Sequence, residues 1–510
     1  MATNNAFVKE LTENIIEPRL ARLRGHVQHP APLHPLAVVL PKTAEQVSAA
    51  VASAARHGLQ VQARCGGHSY TSFSHGGRDG AVVVDLRHLQ DVAVCREHED
   101  EDFGCTVARV GGGVRLGNLA LRLFNQGDRA LSHGTCPSVG IGGHFTHGGY
   151  GHCSRAWGLA MDQIVGMDVV LADGRLVHAD ESENQDLFYA MRGAAESFGI
   201  VVNFYLETRQ APKKVVRWTF EFGDLIGDVG VQGAVAAMLK LQELMQDGAV
   251  VDRYLSFGVN LGKRRFSLSG VYLGPQETFT ERIRPALLRC FPKVPEGGGE
   301  FGVLEWLENL ESQSGGDSLA TPLAYKGRSN FFAKSVMVPE PGLSAAALTS
   351  YFEHIASISA PKTQAEKQED GKKEEKEDGQ QQQEEEEQEV GWFIIIDLYG
   401  GADSQINKPS RHGEAAYPHR SCLWVAQHYA FFDEKKPFPA SGLAFVEGLN
   451  EAMVRHMDGR CAAYINYTDS SLSREQAHAL YYGDEVLSRL RAIKGRVDPG
   501  NVFAHPQSIL

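Results

Sequence analysis

The segment from residue 134 to residue 151, GTCPSVGIGGHFTHGGYG, constrains the fold of this chain most, because glycine fills seven of its eighteen positions. A second glycine pair, Gly66 and Gly67, stands directly before His68. Where residues lack a Cβ, backbone N–H groups can lie directly against a phosphate or a ring system. The spacing differs from the GxGxxG dinucleotide fingerprint, and GxGG also occurs in ordinary turns. The two segments predict loops that hold a cofactor, without naming it.

The chain around these loops has the pattern of mixed helices and strands. Residues 36–40 and 60–64 are predicted strands, and the helix between them begins at Thr43, with Gln46 completing a capping box. Short β-rich runs and helices alternate as far as residue 200. Longer strands are expected further on, at 253–262, 266–273 and 392–400. The sequence therefore predicts an α+β fold.

A chain of 510 residues exceeds one ordinary hydrophobic core, so more than one domain is expected. The change to longer apolar runs after residue 208 separates a cofactor-binding part, 1–208, from a substrate domain, 209–467. Residues 361–390 hold five Lys, twelve acidic residues and no aromatic residue. Such a segment cannot bury enough surface to offset the entropy of ordering. It is predicted to be a disordered insertion in the substrate domain.

Charge and composition exclude several classes of partner. The formal net charge is −13, of which the insertion supplies −7, and no basic patch points to nucleic acid. No run of 18 apolar residues predicts a membrane span, and no leader is visible, so the chain would be cytoplasmic, or secreted if a leader was removed. Eight cysteines without a CxxC pair, and histidines without HExxH spacing, predict neither a disulfide scaffold nor a metal site.

The two glycine segments together, RCGGHSY (64–70) and GTCPSVGIGGH (134–144), resemble the berberine-bridge-enzyme-like flavoproteins with a vanillyl-alcohol-oxidase type FAD domain. Within that family they are most similar to the oxidases of gluco- and chito-oligosaccharides. Further matches are DLYGG (397–401), AYPHR (416–420), YINY (464–467) and DPGNVF (498–503). The resemblance implies a two-subdomain FAD-binding domain, to which residues 468–510 return, and an α+β substrate domain with an antiparallel sheet.

The same resemblance implies that FAD is attached covalently at two points. His68 would be bonded to the flavin 8α-methyl and Cys136 to flavin C6. His144 would hydrogen-bond the ribityl chain, and Val139, smaller than Leu or Ile, would leave oxygen access to the flavin. The remaining cofactor contacts are implied at Gly66, Gly67, Ser69, Tyr70, Gly140, Gly142, Gly143, Gly149, Gly199, Val201, Tyr464 and Asn466.

Oxidation of an alcohol carbon requires the hydroxyl proton to leave together with the hydride, so a base must lie within hydrogen-bond reach. By resemblance this base is Tyr467, and Asp397 is its partner. A phenol with an ordinary pKa near 10 keeps its own proton at neutral pH, so Asp397 would accept that proton in a relay. In a regular strand over residues 464–467, Tyr467 would point away from Asn466 unless the strand bends.

The predicted reaction is oxidation of the anomeric C1 hydroxyl of a mono- or oligosaccharide to a lactone, with oxygen reduced to hydrogen peroxide. The candidate substrate contacts are Tyr70, Phe393, Ile395 and Gln427. Alternation along a strand places Phe393 and Ile395 on one face, but Ile395 offers a sugar no hydrogen bond. Two alternatives therefore stay open: an intracellular oxidase that tailors a hydrophobic secondary metabolite, or a non-catalytic flavin-binding protein.

Overall fold

The computed structural model describes residues 33–100, 105–295, 298–323, 330–359 and 390–510, together with Phe7 and Glu10. The predicted disordered insertion lies outside these ranges, except for Val390. Three β-sheets with accompanying helices organise the described ranges, so the α+β fold predicted from the sequence is confirmed. None of the helices in these ranges is long and apolar enough to cross a membrane.

The first sheet is parallel and has the strand order β1, β3, β2. Its strands are β1 (Ala37–Val39), β2 (Val61–Arg64) and β3 (Val82–Asp85). Helix α1 (Ala44–Arg56) connects β1 to β2, and its N-cap Thr43 Oγ1 accepts a hydrogen bond from Gln46 N over 3.4 Å. Because β2 ends at Arg64, the first glycine pair and His68 follow immediately at the carboxyl end of this strand.

The second sheet has the order β4, β5, β9, β7, β8, and β6 pairs with β9; its strands pair antiparallel. Its strands are β4 (Val92–Asp100), β5 (Cys105–Gly111), β6 (Arg129–Ala130), β7 (Ile164–Val170), β8 (Leu176–Asp180) and β9 (Ile200–Gln210). The helices between these strands are α2 (Leu116–Phe124), α3 (Ile141–Phe145), α4 (Ser154–Trp157) and α5 (Gln185–Ala194). The glycine-rich segment therefore lies in the connection from β6 to β7 and contains α3.

The third sheet has seven antiparallel strands in the order β13, β10, β12, β11, β15, β16, β14. They are β10 (Lys214–Gly223), β11 (Leu255–Gly262), β12 (Arg265–Tyr272), β13 (Glu300–Glu305), β14 (Asn330–Pro339), β15 (Gly391–Leu398) and β16 (Cys422–Phe432). The three strands predicted at 253–262, 266–273 and 392–400 are confirmed as β11, β12 and β15, with ends that differ by about two residues, as assignments commonly do.

Long helices pack on one face of the third sheet, and the opposite face, called the open face below, meets the loop of Tyr70 through Gln427 and Phe331. The helices of this part are α6 (Leu225–Gln246), α7 (Gln276–Thr278), a π-helix (Phe279–Ile283), α8 (Arg284–Arg289), α9 (Trp306–Gln313), α10 (Ala345–Ser359) and α11 (Ala440–Val454). Residues of α6, α10 and α11 share one hydrophobic core with Ile394 and Ile396 of β15. The alternate residues Ile395 and Asp397 are only partly buried, because they lie on the open face.

The C-terminal residues pack onto the first sheet. After α12 (Arg474–Tyr481) and α13 (Gly483–Val497), Phe503 forms a parallel bridge with Val61 of β2. The buried Lys494 Nζ donates to Asp498 Oδ2 at 2.7 Å and to the Phe503 carbonyl at 2.9 Å, which holds this ending in place. We propose on this basis that residues 468–510 belong with residues 1–208.

Candidate active site

The two glycine segments lie against each other, backbone to backbone. A Cβ added to Gly66 would come 2.4 Å from Gly140 N, and one added to Gly140 would come 2.3 Å from Gly66 N. These two glycines therefore allow the loops to pack together. Gly143 differs, because a Cβ there would meet no described atom within 4 Å. The space beside Gly143 is open to a group from outside the chain.

His68 and Cys136, the predicted anchors, meet at a third residue of the same loops. Ser138 Oγ lies 2.9 Å from His68 Nε2, and the same hydroxyl interacts with the Cys136 thiol, although burial of this thiol raises its pKa overall. Cys136 is nevertheless exposed on one side and His68 is partly exposed. An accessible thiol and imidazole that share one hydroxyl fit a flavin attached at two points. Ser138 was not foreseen, since nothing in its sequence context marks it.

His144 stabilises the loop that carries Cys136. Its Nε2 accepts a hydrogen bond from Gly134 N at 2.9 Å, so the proton of the neutral ring lies on Nδ1. Burial lowers the pKa of His144 to about 3, which keeps the ring neutral. The structure therefore gives His144 a role in the protein itself, and the predicted contact with the ribityl chain would be made by Nδ1–H.

The other predicted cofactor residues take varied positions. Ser69 Oγ accepts from Phe73 N at 3.1 Å, and a Cβ on Gly67 would meet the Arg64 guanidinium at 2.6 Å. Val139 is partly buried and packs against the core of the second sheet. Gly199 and Val201 lie at the start of β9, where a Cβ on Gly199 would come 2.5 Å from Val169 Cγ1. A Cβ added to Gly142 would have its nearest contacts at 3.4 Å, with Cys65 Cβ and the Gly112 carbonyl oxygen.

Tyr464 and Asn466 fasten the C-terminal part to the glycine-rich segment. Tyr464 Oη accepts hydrogen bonds from Gly149 N at 3.0 Å and from Tyr150 N at 2.8 Å. Asn466 Nδ2 donates to the His147 carbonyl at 2.9 Å and to Tyr464 Oη at 3.0 Å. The Tyr464 oxygen is therefore surrounded by donors, and it holds the loop of Gly149 in position.

Replacing Tyr464 with Phe is expected to loosen this loop, because two buried N–H groups lose their acceptor. Each unsatisfied group costs about 1–3 kcal/mol. Amide hydrogen exchange in a peptide covering Gly149 and Tyr150 should then accelerate about tenfold to a hundredfold. Tyr482→Phe is the matched control, since Tyr482 Oη donates to the Gly193 carbonyl instead. Unchanged exchange in Tyr464→Phe would contradict the assigned hydrogen bonds.

Tyr467 lies in a short 3₁₀ turn, Ile465–Tyr467, and not in a strand. Since residues three apart share a side of a 3₁₀ helix, the Tyr467 ring contacts Tyr464 edge to face, with centroids 5.1 Å apart. The same ring stacks on Tyr70, with centroids 5.4 Å apart and planes inclined by 15°. The regular strand considered for residues 464–467 is therefore wrong, and the turn brings Tyr467 to the same side as Tyr464.

Asp397 lies on the open face of β15, opposite Gly258 of β11 and Val425 of β16. Burial raises the pKa of its carboxyl group to about 7. Among the residues that the structure describes, none forms a hydrogen bond or ion pair with this carboxylate. Burial raises the pKa of Tyr467 well above its usual value, and Tyr70 and the charge of Asp397 raise it further. The two predicted catalytic residues are thus coupled electrostatically.

The four predicted substrate contacts converge on the same open face. Phe393 and Ile395 share it with Asp397, and Gln427 lies opposite Ile395 in the register of β15 and β16. Gln427 Nε2 donates to Tyr70 Oη at 2.7 Å, so one of the two N–H groups of this amide has a partner. The candidate substrate contacts therefore form one wall, in which a single amide is tied to a tyrosine.

An aromatic cluster beside this wall was missed from the sequence. Tyr429 stacks between Phe331 and Phe393, with centroids 4.6 Å from each. Tyr70 meets Phe331 edge to face at 4.9 Å and so joins the cluster to Tyr467. Alternation along a strand through Gln427 places Tyr429, two residues further on, on the same side, so a strand prediction for this segment would have found it. Phe331 joins the cluster only because β14 pairs with β16, and this pairing has no local sequence signal.

The chain matches a model of an FAD binding domain over residues 35–180 and a model described as berberine and berberine like over residues 463–510. It is 31% identical to a chitooligosaccharide oxidase of Gibberella zeae over 94% of this chain and 88% of the relative. It is 34% identical to a carbohydrate oxidase of Microdochium nivale, with the same coverage. A solved structure of the glucooligosaccharide oxidase of Acremonium strictum, with 6-S-cysteinyl, 8α-N1-histidyl FAD, superimposes with a TM-score of 0.83 at 28% identity, over 99% of each chain.

Proposed function

Because the chain belongs to the berberine-bridge-enzyme-like family of FAD-linked oxidoreductases, we propose that it oxidises the anomeric C1 hydroxyl of a mono- or oligosaccharide. FAD is its cofactor. One sugar and one oxygen molecule are converted into one lactone and one hydrogen peroxide. Support for a sugar comes from the relatives, which are named as oxidases of chitooligosaccharides and of carbohydrates.

His68 and Cys136 would hold the flavin, each through one covalent bond. When bound, FAD supplies the acceptor for the two electrons that leave C1 as a hydride. Because two covalent bonds retain the flavin, the protein does not need to enclose it. The groove beside the open face of the third sheet can therefore stay wide. A wide groove suits a substrate that extends beyond one sugar ring.

The observation that carries this proposal is the Asp397 carboxylate on the open face, which has no hydrogen-bond partner among the described residues and is coupled electrostatically to Tyr467. The C1 hydroxyl gives its proton to Tyr467 Oη, and the phenolic proton of Tyr467 passes to the Asp397 carboxylate through a bridging water or substrate hydroxyl, since no direct hydrogen bond joins these two described side chains. Because the pKa of Tyr467 is raised, the phenol does not lose its proton to water at neutral pH. A carboxylate with a pKa of about 7 accepts the proton near working pH and returns it to solvent readily.

A second candidate function is supported by the aromatic cluster of Tyr70, Phe331, Phe393 and Tyr429, together with Ile395. Such a wall suits a flat, hydrophobic alcohol, and Tyr70 engages one of the two N–H groups of the Gln427 amide. The same proton relay would then serve a secondary or allylic alcohol of an apolar metabolite. The third possibility, a flavin-binding protein without activity, has no use for an Asp397 carboxylate coupled electrostatically to Tyr467.

The test is a substrate screen of the purified holoprotein. Glucose, cellobiose, chitobiose and an aromatic allylic alcohol are added separately, and flavin bleaching without oxygen and peroxide formation in air are followed. Bleaching and peroxide with a sugar support the proposed function. Bleaching by the aromatic alcohol alone favours the second candidate, whereas no bleaching by any alcohol would leave a binding protein.

The rate should depend on pH through Asp397. The carboxylate must be ionised to accept the proton, so kcat/KM is expected to fall about tenfold per pH unit below its pKa of about 7 and to level off above it. Stability changes in the opposite direction: the raised pKa lowers the free energy of unfolding as pH rises from the unfolded value of 3.8 to about 7. A rate profile measured beside thermal melts separates the two, and a flat profile between pH 5 and 8 would contradict this role.

A further inference from the structure

The open face of β11 carries a notch next to Asp397. Gly258, which pairs with Asp397, has no side chain to fill this place. A Cβ there would lie 3.0 Å from Asp397 Oδ1, 3.1 Å from Ile395 Cγ2 and 3.8 Å from Asn260 Oδ1. The first two distances are shorter than ordinary van der Waals contacts, so the Asp397 carboxylate and the Ile395 methyl group already occupy the notch, and Asn260 Oδ1 lies at its edge.

Asn260 presents an acceptor to this notch. Its Nδ2 donates to the Gly258 carbonyl at 3.1 Å and to Ser269 Oγ at 3.0 Å. The Gly258 carbonyl can only accept, so the atom facing it is the nitrogen, and the other atom of the amide is Oδ1. No described residue donates to Oδ1. Since Nδ2 is held by two partners, the direction of Oδ1 is set before any substrate binds.

We propose that Asn260 and Gly258 form a specificity site for a sugar ring, in which Asn260 Oδ1 accepts a hydrogen bond from a second donor on the substrate. This inference rests on the proposed function, because Asp397 and Tyr467 must hold the reacting hydroxyl. Gly258 leaves room for the Asp397 carboxylate beside the ring, and the Ile395 methyl group packs on the apolar C–H face of the ring. A hydroxyl or acylamino N–H at a ring carbon near C1 supplies the donor.

The acceptor of Asn260 favours a polyhydroxy ring over a simple alcohol. A substrate without the second donor would leave Asn260 Oδ1 desolvated and unpaired, which costs affinity in the transition state as well as in the ground state. Ile395 offers no acceptor, and Gln427 lies on β16, the strand on the other side of β15, with its amide nitrogen on Tyr70. Asn260 therefore supplies an acceptor on the β11 side of Asp397, opposite the Gln427 amide.

The experiment compares D-glucose with its 2-, 3- and 6-deoxy analogues on wild type, Asn260→Leu and Ser269→Ala. In wild type, one deoxy analogue should lose about tenfold to a hundredfold in kcat/KM. Asn260→Leu should lose the same factor on glucose and no further on that analogue. Ser269→Ala is the matched control, because it removes a partner of Nδ2 but keeps Oδ1, and it should discriminate as wild type does.

Gly258→Ala provides an independent arm of the test. Its Cβ fills the notch against the end of a flexible carboxylate, so the fold should persist while kcat/KM falls about a hundredfold. An equal loss on all four sugars in Asn260→Leu, or full activity in Gly258→Ala, would overturn the assignment while the proposed function stands. If wild type oxidises no sugar although its flavin is intact, the proposed function fails first and the specificity site fails with it.

Discussion

Replacing both His68 and Cys136 with alanine is expected to abolish covalent flavin entirely, while each single variant keeps one bond. The side chains face one shared hydroxyl, Ser138, so both reach the same cofactor edge. After denaturation in acid, yellow colour should stay with wild type and with each single variant, and leave the double variant completely. Mass spectrometry of tryptic peptides then shows flavin on one peptide or on two linked peptides.

The matched control for this experiment is Cys461→Ala. Cys461 is a free, partly buried cysteine that packs against the core of the third sheet, so its removal should leave both bonds intact. Colour that washes out of denatured wild type would refute covalent attachment. Colour that survives in the double variant would place the attachment at another residue.

Removing the Asp397 carboxylate is expected to lower the rate of flavin reduction about a hundredfold to ten-thousandfold. Asp397→Asn keeps the shape of the side chain but holds no negative charge to accept the proton of Tyr467. Stability should rise at and above neutral pH, because the variant has no buried carboxylate that must ionise against its raised pKa. The variant should therefore bind flavin, melt no lower than wild type at neutral pH, and lose the pH dependence near 7.

Tyr467→Phe tests the other half of the relay. It should reduce the rate by a similar factor, and the double variant should be little worse than either single one, because the two groups act as one unit. Asp403→Asn is a suitable control: Asp403 follows the same strand but pairs with Arg253 at 2.8 Å. A rate in Asp397→Asn within about threefold of wild type would exclude the proposed relay.

Local features of the fold were predictable because their causes are local. The cap of α1 depends on Thr43 and Gln46, three residues apart, and it forms as expected. The strands β11, β12 and β15 follow from short apolar runs. The 3₁₀ turn at Tyr467 was not predictable, because Tyr464 adopts its position through hydrogen bonds to Gly149 and Tyr150, which are distant in sequence.

The sequence by itself determined which residues are candidates for the chemistry, since a covalent flavin and the proposed proton relay need particular residue types, and His68, Cys136, Asp397 and Tyr467 lie in short recognisable segments. Only the tertiary structure decided how these groups are surrounded. The raised pKa of Asp397 comes from burial, and the acceptor of Asn260 lies beside Asp397 only because β11 pairs with β15 in one register. Register and burial depend on strands that are far apart in the chain, so no local pattern encodes them.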